Sequence, residues 1–217
     1  MPVLPRNIPL RMMLLLACLL AAGPLSAMDS LLTDMALVKA LRAGGYNIYF
    51  RHVSTDWSQS DDVRQADDWR SCDPLRMRQL SAAGRAAASA IGMAMRRLAI
   101  PVDEVLASPY CRTVETAKLM GLGKVIESTQ VMNMRSADYV GGRASVVASA
   151  QALLASAPGV AVNRVIVAHG NVASAATPAY PGEGEALVFE PDATGGFVLR
   201  GRIEVGDWAR LLKLANG

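Results

Sequence analysis

Histidine and aromatic residues are scarce in this chain of 217 residues: there are two histidines, and Phe, Trp and Tyr together make up 5%. So few aromatics supply no base-stacking platforms, and a net charge of +3 builds no strongly basic face, so a nucleic-acid partner is not expected. Three cysteines are too few for a disulfide scaffold. Charged residues are also sparse, at 19% against 52% hydrophobic, which excludes a disordered chain and suffices for one core. No repeat, low-complexity tract or linker divides the chain, and one domain is expected.

Long hydrophobic runs are lacking too. The run Met12 to Ala22 has eleven residues, against the roughly 20 needed by a bilayer-spanning helix. It follows Arg6 and Arg11 with no acid nearby, and it ends at Gly23-Pro24 before the small residues Leu25-Ser26-Ala27. That is the pattern of a secretory signal peptide over residues 1–27, leaving a domain over 28–217, no membrane span after signal removal, and a secreted, periplasmic location. Leu15-Leu16-Ala17-Cys18 resembles a lipid-attachment box, and anchoring at Cys18 is a minor alternative. Removing the leader lowers the net charge from +3 to +1. Cys72 and Cys111 remain, an even pair in an oxidising space; a disulfide and two buried thiols are both open.

Past the leader, helical spacing from Leu31 to Ala43 ends at Gly44-Gly45, and Tyr46 to Phe50 is a short strand feeding a polar loop from Ser54 to Arg70. Ser81 caps a long helix reaching Leu98. A strand over Val102 to Ala107, a turn at Ser108-Pro109 and a helix over Tyr110 to Met120 follow, with Gly121 as its stop. A strand at Gly123 to Ile126, a helix over Arg143 to Ser156 and a strand over Arg164 to Ala168 continue the alternation. Ala186 to Glu190 and Gly196 to Ile203 read as an antiparallel hairpin before a short C-terminal helix. Strands such as Val165-Ile166-Val167-Ala168 are apolar on both faces. The fold class is therefore α/β, a three-layer α/β/α sandwich with a mostly parallel central sheet.

The two histidines, His52 and His169, each close a predicted strand at its carboxyl end, the edge where open parallel sheets bind ligands. Arg51 precedes the first, and Arg112 lies in the first turn of a helix starting at the same edge. Two guanidiniums and two imidazoles meeting there call for an anion, and phosphate matches an arginine fork. No histidine spacing suggests a metal site, and none of the cysteines has a catalytic setting. The acids Asp61, Asp62, Asp67 and Asp68 read as a solvated run in the polar loop.

Four segments in order, Arg51-His52-Val53-Ser54-Thr55, Leu80-Ser81-Ala82-Ala83-Gly84, Ser108 to Ala117 and Val167-Ala168-His169-Gly170, resemble the motifs of the histidine phosphatase superfamily, the phosphoglycerate mutase-like branch 1. The likeness runs from about Tyr46 to Trp208 and is most similar to secreted members related to lipopolysaccharide core heptose phosphatases. The resemblance implies a phosphoglycerate mutase-like fold and a metal-independent phosphomonoester hydrolase needing no cofactor, acting on a phosphorylated small molecule or glycolipid. It implies His52 as nucleophile forming a phosphohistidine, Arg51, Thr55, Arg112 and His169 as phosphate ligands, and an acid as proton donor to the leaving oxygen. Glu185 and Glu183 are the candidates for that acid, with Asp56 behind them; Glu115 reads as structural. Val53 stands where the motif often has glycine. The alternative is a phosphate- or sugar-binding module of the same fold that has lost turnover. A mutase is disfavoured because about 190 residues leave little room for a lid.

Overall fold

A computed structural model describes residues 31–217 of the chain; the expected leader, with Cys18, lies outside the described residues. The described chain alternates helix and strand: α1 (Asp34–Ala43), β1 (Asn47–Arg51), α2 (Ala82–Arg97), β2 (Val102–Ala107), α3 (Cys111–Met120), β3 (Val125–Glu127), α4 (Arg143–Ala155), β4 (Asn163–Ala168), α5 (Gly170–Ala176), β5 (Ala186–Pro191), β6 (Phe197–Ile203) and α6 (Asp207–Asn216). Local chemistry accounts for the ends. The Ser81 hydroxyl accepts from the Gly84 amide and starts α2, and Gly121 takes φ 60°, the left-handed turn that stops α3. Helix α5 was not anticipated, because seven residues are too few for a helical period to show. The stretch from 127 to 142 folds as short 3-10 turns over Thr129–Val131 and Met134–Val140.

The six strands form one sheet in the order β3-β2-β4-β1-β5-β6. The first four run parallel, β5 pairs antiparallel with β1, and β6 pairs antiparallel with β5. Alternate residues of each strand feed two separate cores. Ile48, Phe50, Val105, Val165 and Val167 pack under α1, α2, α3 and α6. Tyr49, Leu106, Ile166, Leu187 and Phe189 pack against α4, α5 and the 3-10 turns. Each buried Val, Ile or Phe contributes about 1.5–3 kcal/mol, so both faces hold the sheet and the expected three-layer arrangement results. Among the described residues no helix is long and apolar enough to cross a membrane.

Two features position the functional edge. In the β1–β4 pairing Arg51 lies opposite Ala168, and the His52 amide donates to the Ala168 carbonyl at 3.0 Å. The residues following both strands, His52 and His169, are thus brought to neighbouring positions. Meanwhile α2 approaches the loop after β1 so closely that a Cβ on Gly84 would lie 2.1 Å from the Ser54 carbonyl oxygen. Glycine there lets the helix start press the loop toward the sheet.

Candidate active site

The imidazoles of His52 and His169 lie 5.6 Å apart, edge to face, and both are buried. His52 Nδ1 sits 2.9 Å from the carbonyl oxygen of Val53. A carbonyl only accepts, so Nδ1 carries the proton and Nε2 keeps its lone pair. His169 Nε2 is bonded to the Ser108 hydroxyl at 2.9 Å, while its Nδ1 is buried with no partner. The His169 backbone is clamped by Tyr49, whose phenol donates to the His169 carbonyl and accepts from its amide. Burial, reinforced by the Arg112 guanidinium, holds both rings well below the ordinary 6.5, so both are neutral.

Arg112 is 1% exposed and enters from the first turn of α3. Its guanidinium lies 4.6 Å from the Tyr110 ring centroid, and that ring also packs edge-on against His169 at 4.8 Å. Nη1 and Nη2 donate to the two carboxylate oxygens of Asp61 at 2.9 and 3.0 Å; Nε is buried without a partner. Arg51 donates to the Pro181 carbonyl and the Tyr180 hydroxyl and faces Glu183 at 3.5 Å.

These groups line a cavity of about 190 Å³ together with Trp57, Arg78, Asn133, Arg135, Gly170 and Asn171. Of the six buried side-chain polar atoms left without a partner among the described residues, four belong to this lining: Arg78 Nε, Arg112 Nε, His169 Nδ1 and Asn171 Oδ1. Buried polar atoms are normally satisfied, so three nitrogens and a surplus of guanidiniums left open in one hole define a place for an oxyanion. A larger groove of about 990 Å³ adjoins it across Trp57, lined by Thr55, Asp56 and both bridging cysteines but by neither histidine.

The structure brings His52, Arg51, Arg112 and His169 into one cavity, and places the remaining expected residues elsewhere. Thr55 is buried beside the cavity, where its hydroxyl donates to Glu183 Oε1 at 2.9 Å; it acts on Arg51 through that carboxylate. Glu185, the expected proton donor, does not reach the cavity. Its Oε1 accepts from Arg202 at 2.6 Å and its Oε2 from the Gly182 amide at 2.7 Å, because the strand it begins faces it toward β6. Asp56 folds onto Ser58 and Gln59. Glu115 pairs with Arg85.

The expectation of a solvated acidic run needs correction. Asp61 is 5% exposed on Arg112, and Asp68 is buried, accepting from the amides of Arg64 and Gln65. The loop folds back because buried Arg112 requires an anion, which Asp61 supplies. Cys72 and Cys111 form a disulfide with Cα atoms 5.4 Å apart, tying the same loop to the residue before Arg112. Asp61, Arg78, Arg135 and Asn171 had no sequence signal: the first three lie in loops or turns whose path is set by tertiary contacts, and Asn171 lies in the short helix α5, which the sequence pattern did not reveal. Ser108 was visible only as part of its motif.

Residues 48–141 match the profile of the histidine phosphatase superfamily (branch 1). That segment spans under half of the chain and holds His52 and Arg112. Its fold resembles the structure of the protein histidine phosphatase SixA complexed with tungstate, at 15% identity and a TM-score of 0.53 over 75% of this chain and 98% of that one. It also resembles a putative alpha-ribazole-5'-P phosphatase from Escherichia coli, at 14% identity and a TM-score of 0.54 over 75% and 98%. At these identities the likeness is one of fold. No curated protein sequence matches the chain. The match ends before His169, which joins the site through the β1–β4 register.

Proposed function

We propose that this protein is a histidine phosphatase, a metal-independent phosphomonoester hydrolase with a phosphohistidine intermediate on His52. The observation that carries the reading is the Nδ1 contact to the Val53 carbonyl, which leaves a neutral ring presenting Nε2 to the cavity. The match of residues 48–141 to the histidine phosphatase profile supports it. The Nε2 lone pair attacks phosphorus, the P–O ester bond breaks, and its electron pair leaves on the ester oxygen. Arg51, Arg112 Nε and His169 Nδ1 hold the equatorial oxygens, where charge is spread in the transition state. Asp61 is the one carboxylate lining the cavity among the described residues. The incoming phosphoryl group, arriving as the singly protonated monoester, takes the place of Asp61 on Arg112; the displaced carboxylate accepts that proton, passes it to the leaving oxygen, and then takes one from the water that cleaves the phosphohistidine.

The phosphate is carried by a sugar or by a lipopolysaccharide core, and the protein works after export, with residues 1–27 removed. Supporting the export is the bridge Cys72–Cys111, a bond that persists in oxidising compartments. The test is hydrolysis of 4-nitrophenyl phosphate by the protein from residue 28 onward, in EDTA, with labelled phosphate trapped as an alkali-stable adduct. Turnover and adduct both lost in His52→Ala support the reading. Phosphate binding with no adduct and no turnover in the unaltered protein would instead favour the binding module.

A further inference from the structure

The floor of the cavity accounts for Arg51 and Arg112, each facing a carboxylate, but not for the two other guanidiniums at its mouth. Arg78 and Arg135 line the same cavity, and among the described residues neither forms an ion pair or a side-chain hydrogen bond. Arg78 is partly buried, and its Nε is shielded from solvent with no hydrogen-bond partner. Its guanidinium carbon lies over the ring of Trp57, 3.9 Å from the centroid, and Trp57 is 66% exposed. The charges facing it are Arg112 and Arg135, which repel, and Asp61 and Glu183, which attract. Those two carboxylates are already engaged by Arg112 and by Arg51 and Thr55.

Desolvating a guanidinium beside two others is unfavourable unless an anion joins them. One phosphoryl group on the floor takes the Nε of Arg112 and the Nδ1 of His169, deep in the hole. Arg135 is exposed and reaches the cavity from the turn Met134–Val140, on the outer side, where the leaving group must lie. The aromatic plate of Trp57 fixes the Arg78 fork without consuming its N–H groups, a preorganised arrangement suited to an oxyanion.

We infer that Arg78 and Arg135 form a second anion subsite at the mouth of the cavity, which takes a second phosphate of the substrate while the first is cleaved at His52. The substrate is then a bisphosphorylated compound, with the second phosphate on the leaving-group side. The inference rests on the phosphatase reading above and narrows its substrate class.

The test measures dissociation constants by titration calorimetry in a His52→Ala background, where ligands are not turned over. The probes are inorganic phosphate, fructose 6-phosphate, glucose 6-phosphate, fructose 1,6-bisphosphate and glucose 1,6-bisphosphate. At least one bisphosphate is expected to bind about tenfold or more tightly than its monophosphate, the value of one charge-assisted contact. That ratio should fall to within about threefold in Arg78→Ala and in Arg135→Ala, and shrink with added salt. Arg135 is exposed, so its truncation keeps the test valid if Arg78→Ala unfolds; Arg78→Lys should retain part of the ratio. Monophosphates and bisphosphates binding alike, or a ratio unchanged in both alanine variants, would overturn the second subsite alone. Failure of every probe, inorganic phosphate included, would overturn it together with the phosphatase reading.

Discussion

Replacing Asp61 by alanine should weaken the fold and strengthen phosphate binding at the same time. Asp61 supplies the hydrogen-bond acceptors to both Arg112 terminal nitrogens, and the pair is 2% and 5% exposed. Removing the carboxylate strands a buried guanidinium that keeps its contact with the Tyr110 ring but has lost its carboxylate partner. Breaking such a pair costs about 3–5 kcal/mol, which for a domain of this size lowers Tm by about 10 °C. Phosphate should restore much of it, since a ligand at a hundred times its Kd adds about 2.7 kcal/mol. The variant should gain more from phosphate than the unaltered protein, in which the ligand must first displace Asp61. Urea and thermal unfolding with and without phosphate read both effects. Asp61→Asn, closer in shape, separates charge from packing. On turnover, this variant should lose about a hundredfold or more on alkyl phosphates, whose leaving oxygen needs a proton, and less on 4-nitrophenyl phosphate. An alanine variant with unaltered Tm that binds phosphate no tighter would refute the reasoning.

Acid should destabilise the fold through the same site. Both imidazoles are held neutral, well below their unfolded value of 6.5. Below that pH the unfolded chain binds protons that the folded chain does not, and stability falls with decreasing pH by about 1.4 kcal/mol per unit for each histidine. Unfolding free energies between pH 7 and 5 should show this slope, and His52→Gln should roughly halve the histidine contribution; a flat profile would contradict neutral rings. Reduction of Cys72–Cys111, a bridge across 39 residues, should cost about 4 kcal/mol by loop entropy and weaken phosphate binding, because it frees the loop bearing Asp61 and Arg78. Denaturation and phosphate titration with and without dithiothreitol check both, and an unchanged affinity would mean that the bridge does not hold that loop in place.

The amino-acid sequence alone determined the layered sheet and the edge that carries His52. Apolar runs such as Val165 to Ala168 bury both faces whatever surrounds them, Ser81 and Gly121 start and stop their helices by local hydrogen bonding and backbone geometry, and a histidine after a parallel strand necessarily falls at its carboxyl edge. These are short-range consequences, and they survive without knowledge of the fold. Tertiary structure decided the rest. Whether Glu185, Glu183 or Asp61 meets the phosphate depends on which way a loop turns once Arg112 is buried. The electrostatic demand of that buried charge draws Asp61 across 51 positions of sequence, while Arg202 takes Glu185 away. Arg78 and Arg135 carry no local mark of function because their role comes from facing one another's charge across a cavity, a relation between residues far apart in the chain that only packing creates.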